Sequence, residues 1–269
     1  MGVAATVTTG ALERVCPACG SDERNTLPHY SLDQWKVVEC AVCRFVYLAN
    51  PPGYDALVED FAFEKTFSLE KVRRLQTRPI AKRLSDATRW RLNMRRKGRF
   101  MSLFPKGGKV LDIGCGRGTE LYMQGVTPFG IEISRDLAVI ANERMKQHGG
   151  FAIQAPAIDG LKQFEDGSFD GVIMNSYLEH EEQPREALRE VARVLRSGGK
   201  AYVRVPNYGG INRRVTGRKW CGFRYPDHVN YFTLSGLRSM AREASFTTSL
   251  VNWLTLPTDD NIKMVLTRP

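Results

Sequence analysis

Nowhere in its 269 residues does the sequence hold a run of about 18 apolar side chains, so a bilayer-crossing helix is not expected. The opening, MGVAATVTTGALERV, lacks the basic and apolar regions of a secretory signal. Internal repeats and low-complexity tracts are also missing. Acids are nearly absent from one stretch: residues 71–109 contain fourteen Lys or Arg and a single carboxylate, Asp86. That stretch is +13 within a chain of net charge +10, so everything outside it sums to about −3. The basicity belongs to one element and not to the fold. Such a patch suits either an anionic partner or a solvated helix face.

What is present fits a cytoplasmic protein with no membrane partner. With 42% hydrophobic residues the chain can bury one full α/β domain and a small appendage. Six cysteines occur, four of them as Cys16-x2-Cys19 and Cys40-x2-Cys43. Two tight turns each presenting two thiolates make a tetrahedral set for structural zinc. Cysteines reserved for metal argue against an oxidising compartment. Residues 1–54 are therefore read as a zinc ribbon, with short strands in WKVVEC and FVYLAN. So small a unit draws its folding energy from the metal.

Residues 55–106 show helical spacing, with arginines between Val72, Leu75, Ile80, Leu84, Ala87 and Met94. Two or three helices are expected there as a basic connector or lid, with Pro79 as a break. From residue 107 to 269 the pattern alternates. Strands are expected at KVLDI, PFGIEI, FAIQA, FDGVIM and KAYVRVP, and two more in FTTSLVNW and NIKMVLT. Helices are expected over 135–147, capped by Ser134, over 184–196, stopped by SGG, and over 234–244, capped by Thr233. Alternation with short links implies an α/β, doubly wound, mainly parallel sheet.

The segment VLDIGCGRGTE, residues 110–120, places Gly114, Gly116 and Gly118 where the first of these strands turns towards a helix. A backbone this bare lets a ligand approach closely, and the helix N-terminus behind it attracts an anion. The spacing is G-x-G-x-G, and Thr119 stands where a dinucleotide fingerprint needs its last glycine. Nicotinamide chemistry is excluded on that ground. Glu132, at the tip of the next strand, can take both hydroxyls of a ribose. The expected ligand is adenosine-like with a compact anionic end.

VLDIGCGRG, GIEIS, FEDGSFDGVIMNSYLEH and LRSGGKAYVRVPN, in that order over residues 109–207, resemble the successive motifs of the class I S-adenosylmethionine-dependent methyltransferases. The resemblance implies a Rossmann-like seven-stranded sheet and S-adenosyl-L-methionine as cofactor. It places Asp112, Gly114 and Gly116 at the methionine end, Glu132 on the ribose, Ile133 on the adenine and Asn175 beside the methyl group. The acid that this family usually carries after the third strand is missing, so Gln154 or the Ala155 backbone must serve the adenine. The helix after the glycine loop is about one turn short, since only TELYMQ precedes Gly125.

For an oxygen or nitrogen acceptor the transferred methyl displaces a proton, which needs a base. Candidates are Tyr177, Glu179 and His180 after the fourth strand, and His228 in WCGFRYPDHVNYFT. His180 reads equally as a packing residue. The family's enzymes for amino groups of adenine or glutamine carry an Asn/Asp-Pro-Pro-Tyr/Phe run after that strand, where this chain has NSYL. The Pro-Cys nucleophile of the pyrimidine-carbon enzymes does not occur. A zinc ribbon ahead of the glycine loop resembles bacterial biosynthetic methyltransferases, so a small-molecule acceptor is expected: a sugar or metabolite, anionic, nucleotide-linked or carrier-bound. Two readings compete with it. One is an RNA-modifying enzyme gripping phosphates with ribbon and basic helices; the other is a cofactor-binding adaptor without turnover.

Overall fold

The computed structural model describes residues 13–52, 103–118 and 125–269. Of the basic connector expected over 55–106, residues 55–102 lie outside the described residues, as does the short helix expected at 119–124.

The N-terminal unit forms three short strands, β1 (Arg24–Thr26), β2 (Val37–Cys40) and β3 (Val46–Leu48). A fourth, β9 (Asn230–Tyr231), arrives from far along the chain and pairs antiparallel with β3, giving the order β1-β2-β3-β9. Side chains alternate across a strand, and both faces of this sheet are used. Val37, Val46 and Leu48 pack with Tyr208, Trp220, Phe223, Val229 and Tyr231. Val38, Cys40 and Tyr47 join the principal core of the chain. Arg14 binds the pieces together: its Nε donates to the Leu48 carbonyl at 2.9 Å, Nη1 to Glu182 at 3.1 Å and Nη2 to Asn230 Oδ1 at 3.0 Å. The ribbon was expected to lean on metal alone for want of a core. It shares one with the rest of the molecule.

The second sheet has seven strands in the order β10-β11-β8-β7-β4-β5-β6. They are β4 (Lys109–Ile113), β5 (Thr127–Glu132), β6 (Phe151–Gln154), β7 (Phe169–Asn175), β8 (Leu195–Pro206), β10 (Thr247–Leu250) and β11 (Asn261–Thr267). The pairs β4–β5, β5–β6, β4–β7 and β7–β8 are parallel, while β11 runs antiparallel between β8 and β10. The central strands are mainly apolar because both faces are covered; Val110, Leu111 and Val172 are fully buried. The order reverses at β4, and the crevice that this opens at the carboxyl ends is where ligands bind in such sheets.

Among the described residues there are five α-helices: α1 (Arg135–Lys146), α2 (Ala157–Lys162), α3 (Pro184–Val194), α4 (Ile211–Thr216) and α5 (Leu234–Glu243). Ser134 caps α1, its Oγ accepting from Leu137 N at 3.4 Å, and Thr233 Oγ1 caps α5 from Gly236 N at 3.1 Å. Replacing Ser134 by alanine removes one satisfied helix donor and should cost about 1 kcal/mol in denaturant unfolding. One expected stop is displaced. Helix α3 ends at Val194, before the glycines, because Leu195 turns extended and pairs with Phe169. The SGG run lies inside β8, with Gly198 at φ +74°. Among the described residues no helix is long and apolar enough to cross a membrane.

Candidate functional site

Strand β4 delivers the chain into a loop in which Gly114, Gly116 and Gly118 take φ values of +70°, +55° and +65°. L-residues rarely adopt this left-handed region, so the loop needs glycine to exist in this shape. It is tied to β5: Gly114 N and Cys115 N both donate to the Ile131 carbonyl, at 2.8 and 3.2 Å. Glu132, 7% exposed at the end of β5, closes the arrangement. Its Oε2 accepts from Gly116 N at 2.7 Å and its Oε1 from Ser134 N at 3.0 Å. The carboxylate therefore buckles the glycine loop to the first turn of α1. Each oxygen has a second lone pair available to a ligand hydroxyl.

The remaining expected cofactor residues line the same edge of the sheet. Asp112 sits on β4 in register with Gly130 and Ile173. Ile133, half-buried, follows Glu132, and its carbonyl accepts from Gln154 Nε2 at 3.0 Å. The Ala155 N–H donates to the Glu132 carbonyl at 3.1 Å, so that backbone donor is committed within the fold. For an exocyclic amine, the acceptor oxygens on offer in place of the missing acid are the Ala155 carbonyl and Oε1 of the exposed Gln154. Asn175 is exposed at the end of β7 and accepts from Arg204 Nη1 at 3.3 Å. Ser176 then takes φ +59°, a left-handed turn that swings the chain across the glycine loop. Tyr177 lands beside it: a Cβ on Gly114 would lie 3.9 Å from Tyr177 Cδ2. The Tyr177 hydroxyl donates to Glu181 Oε2.

Behind Tyr177 the structure brings His180 and His228 together, their ring centroids 4.7 Å apart and edge to face. They come from segments 48 residues apart in sequence and meet because the Val229 and Asn230 N–H groups both donate to the Glu179 carbonyl, at 2.8 and 3.1 Å. A carbonyl can only accept, so Nδ1–H of His180 donates to Asp227 O and Nδ1–H of His228 to Gly222 O, each at 2.8 Å. Both rings are thereby fixed in the tautomer whose Nε2 is basic. Burial, aided by the Arg224 guanidinium, lowers the His180 pKa to about 4. Burial pushes the Glu179 carboxyl, 1% exposed, up to about 8. His228 lies, as expected, in the loop between strand β8 and helix α5. It is 5% exposed, enclosed by the segment that supplies β9. The Gly222 and Asp227 carbonyls and the Arg224–Asp227 ion pair of 2.7 Å were not anticipated, since only the three-dimensional turn brings them to the rings.

At the other end of the N-terminal sheet, one sulfur from each of Cys16, Cys19, Cys40 and Cys43 lies within 4.8 Å of every other. Cys16 and Cys43 approach to 3.5 Å, as do Cys19 and Cys40. Four sulfurs at about 2.3 Å from a tetrahedral zinc stand about 3.8 Å apart, so the set fits a zinc ribbon. Burial raises the Cys40 thiol, but the Cys43 and Val42 N–H groups together with the Cys19 and Cys43 thiols offset this and bring it down to about 7.

Residues 86–250 match the sequence profile of a family described as "Methyltransferase domain". Among curated relatives, the tRNA (carboxymethyluridine(34)-5-O)-methyltransferase of Xenopus tropicalis is 35% identical over 113 residues, which is 40% of this chain and 17% of that one. A ubiquinone biosynthesis O-methyltransferase of Xanthomonas axonopodis pv. citri is 30% identical over 111 residues, 39% of this chain. The chain spans less than half the length of either, 17% and 46%. A solved SAM-dependent methyltransferase of Archaeoglobus fulgidus superposes with a TM-score of 0.53 at 18% identity, covering 70% of this chain and 99% of that one. At that identity it speaks for the fold alone. With more than half of its length inside the family profile, the chain belongs to the class I S-adenosylmethionine-dependent methyltransferases.

Proposed function

We propose that the protein transfers a methyl group from S-adenosyl-L-methionine to a small-molecule acceptor, a sugar or biosynthetic metabolite that is anionic, nucleotide-linked or carrier-bound. The observation that carries the cofactor half is the Glu132 buckle. A buried carboxylate already oriented by two backbone donors pays little reorganisation to receive two ribose hydroxyls. Asp112, Gly114 and Gly116 then hold the methionine end, Ile133 and Gln154 border the adenine, and Asn175 marks the methyl. On the acceptor side, Tyr177 orients the substrate, while His180 and His228, each with Nδ1–H held by a carbonyl and Nε2 left to accept, receive the proton of an oxygen or nitrogen acceptor. The fourteen cations of 71–109 suit an anionic acceptor. Zinc on the four cysteines holds the ribbon's two metal turns together.

The test is cofactor affinity. Glu132→Ala removes the ribose bonds and loosens the loop together, which should cost roughly 1–3 kcal/mol of binding. By calorimetry the dissociation constant then rises about 5- to 150-fold, whereas an unchanged constant would take Glu132 out of the site. Tyr177→Phe deletes one hydroxyl at the acceptor side, so kcat should fall about 2- to 10-fold at constant cofactor affinity.

A second reading, an RNA acceptor, draws on the tRNA-modifying relative matched over 40% of this chain and on the fourteen cations of 71–109. It predicts binding to RNA that weakens steeply with salt, one unit of slope for roughly each phosphate neutralised. A flat response in a titration dismisses it.

A further inference from the structure

The described surface is not evenly polar. Five of its ten exposed large apolar side chains, Ile211, Val215, Val251, Trp253 and Leu254, belong to just two segments, and Val215, Trp253 and Leu254 are 78%, 67% and 74% exposed. The segments are helix α4 and the turn that joins β10 to β11. They are bonded to each other, Ile211 N donating to Pro257 O at 2.8 Å and Asn212 Nδ2 to Thr258 O at 3.1 Å, and so form one edge of the molecule. Ile211 and Val215 stand one turn apart on the same side of α4. Between them projects Arg214, followed by Arg218 and Lys219, all exposed. None of these three cations is paired with an acid among the described residues. The nearby carboxylates are engaged elsewhere, Asp259 by Lys263 at 2.8 Å and Asp260 by Trp220 Nε1 and Asn212 Nδ2, each at 3.2 Å. Beside the patch opens a cavity of about 300 Å³ with a mainly apolar lining of Ile211, Leu234, Leu256 and Pro257 and with Arg214 at its wall.

We propose that this edge docks on an anionic lipid surface, the apolar tips entering the acyl boundary and the cations meeting headgroup phosphates. Contiguous exposed apolar groups ringed by unpaired cations are the composition of interfacial anchors. A second copy of the chain is disfavoured, because a two-fold contact would set these cations against their own copies. Single-stranded RNA is disfavoured by the aliphatic majority, Trp253 alone offering a stacking face. A bilayer asks for no shape match, only for apolar tips and positive charge together. The inference goes beyond the methyltransfer reading and does not depend on which acceptor is used.

The test is co-sedimentation of the full-length protein with vesicles of phosphatidylcholine, or of equimolar phosphatidylcholine and phosphatidylglycerol. Binding is expected to the anionic vesicles only, to weaken with salt, and to shift the Trp253 emission to the blue. Arg214→Ala with Arg218→Ala should reduce the partition coefficient about 30-fold, each cation being worth roughly fivefold at such a surface. Trp253→Ser with Leu254→Ser should reduce it at least about tenfold. Cofactor affinity, measured on the same preparations, should stay at the wild-type value, so loss of docking and loss of the methyltransferase site are read separately. No sedimentation with anionic vesicles overturns the proposal. So does sedimentation that both double variants retain, which would assign it to the basic stretch of 71–109. RNA binding lost in Arg214→Ala with Arg218→Ala, without vesicle binding, would reassign the edge to nucleic acid.

Discussion

Cys40→Ser should release the metal and leave the N-terminal sheet unfolded. Cys40 ends β2, is fully buried, and contributes to the principal core, so the substitution removes a ligand and leaves a hydroxyl in an apolar setting. A structural zinc contributes about 10–16 kcal/mol of apparent binding free energy near neutral pH. That is as large as the entire stability of an ordinary domain, so no partial compensation is expected. The consequence should not stay in the ribbon. Both faces of its sheet are covered by residues from elsewhere in the chain, and β9 leads directly back to His228. Chelation of the wild type or Cys40→Ser should therefore expose Trp220, now 1% accessible, and shift its emission to the red. Metal analysis should give one zinc per chain for the wild type from this set and none for the variant. A chelated protein that keeps its Trp220 environment would show that the shared apolar core holds the ribbon without metal.

The glycine loop was legible because its signal is local: three glycines in five residues behind a β-branched run dictate a bare turn, and the φ values at Gly114, Gly116 and Gly118 are that dictate realised. The caps at Ser134 and Thr233 were legible for the same reason, each being one side chain acting within three residues. The zinc ligands showed in their spacing. Helix α2 was missed because six residues are too few to display a period. The stop at SGG was misplaced because a long-range pairing, Leu195 with Phe169, outweighed the local preference of glycine. Strand β9 had no local signal whatever, being two residues whose only reason to extend is the edge of β3, 183 positions earlier in the ladder from Tyr47 to Asn230. The burial of His228 follows from that same long-range contact. Composition marked the histidine as interesting, and topology decided what surrounds it.

His228→Ala should lower kcat by about 10²- to 10⁴-fold while cofactor affinity holds, the range that a well-placed general base supplies. The ring is prepared for this in three ways. Its Nδ1–H is held by the Gly222 carbonyl at 2.8 Å, so no rotation or tautomer change precedes proton uptake. Its neighbour His180 is kept neutral by burial, so no fixed positive charge opposes a proton arriving at the pair. The Glu179 carboxyl, raised by its own burial, has an oxygen within 4.8 Å of a nitrogen of each ring, which places a third polar group beside the pair. Because the ring is only 5% exposed, a truncation also leaves a cavity, and lost activity alone would not separate chemistry from collapse. His228→Asn is the companion variant: its amide keeps a donor for Gly222 and most of the volume but cannot take a proton at neutral pH. If the ring is the base, the asparagine enzyme melts close to wild type and is as slow as the alanine one. Should the asparagine enzyme turn over normally, His228 is a packing residue, and the proton of the acceptor leaves by way of Tyr177 and the solvent side of the loop.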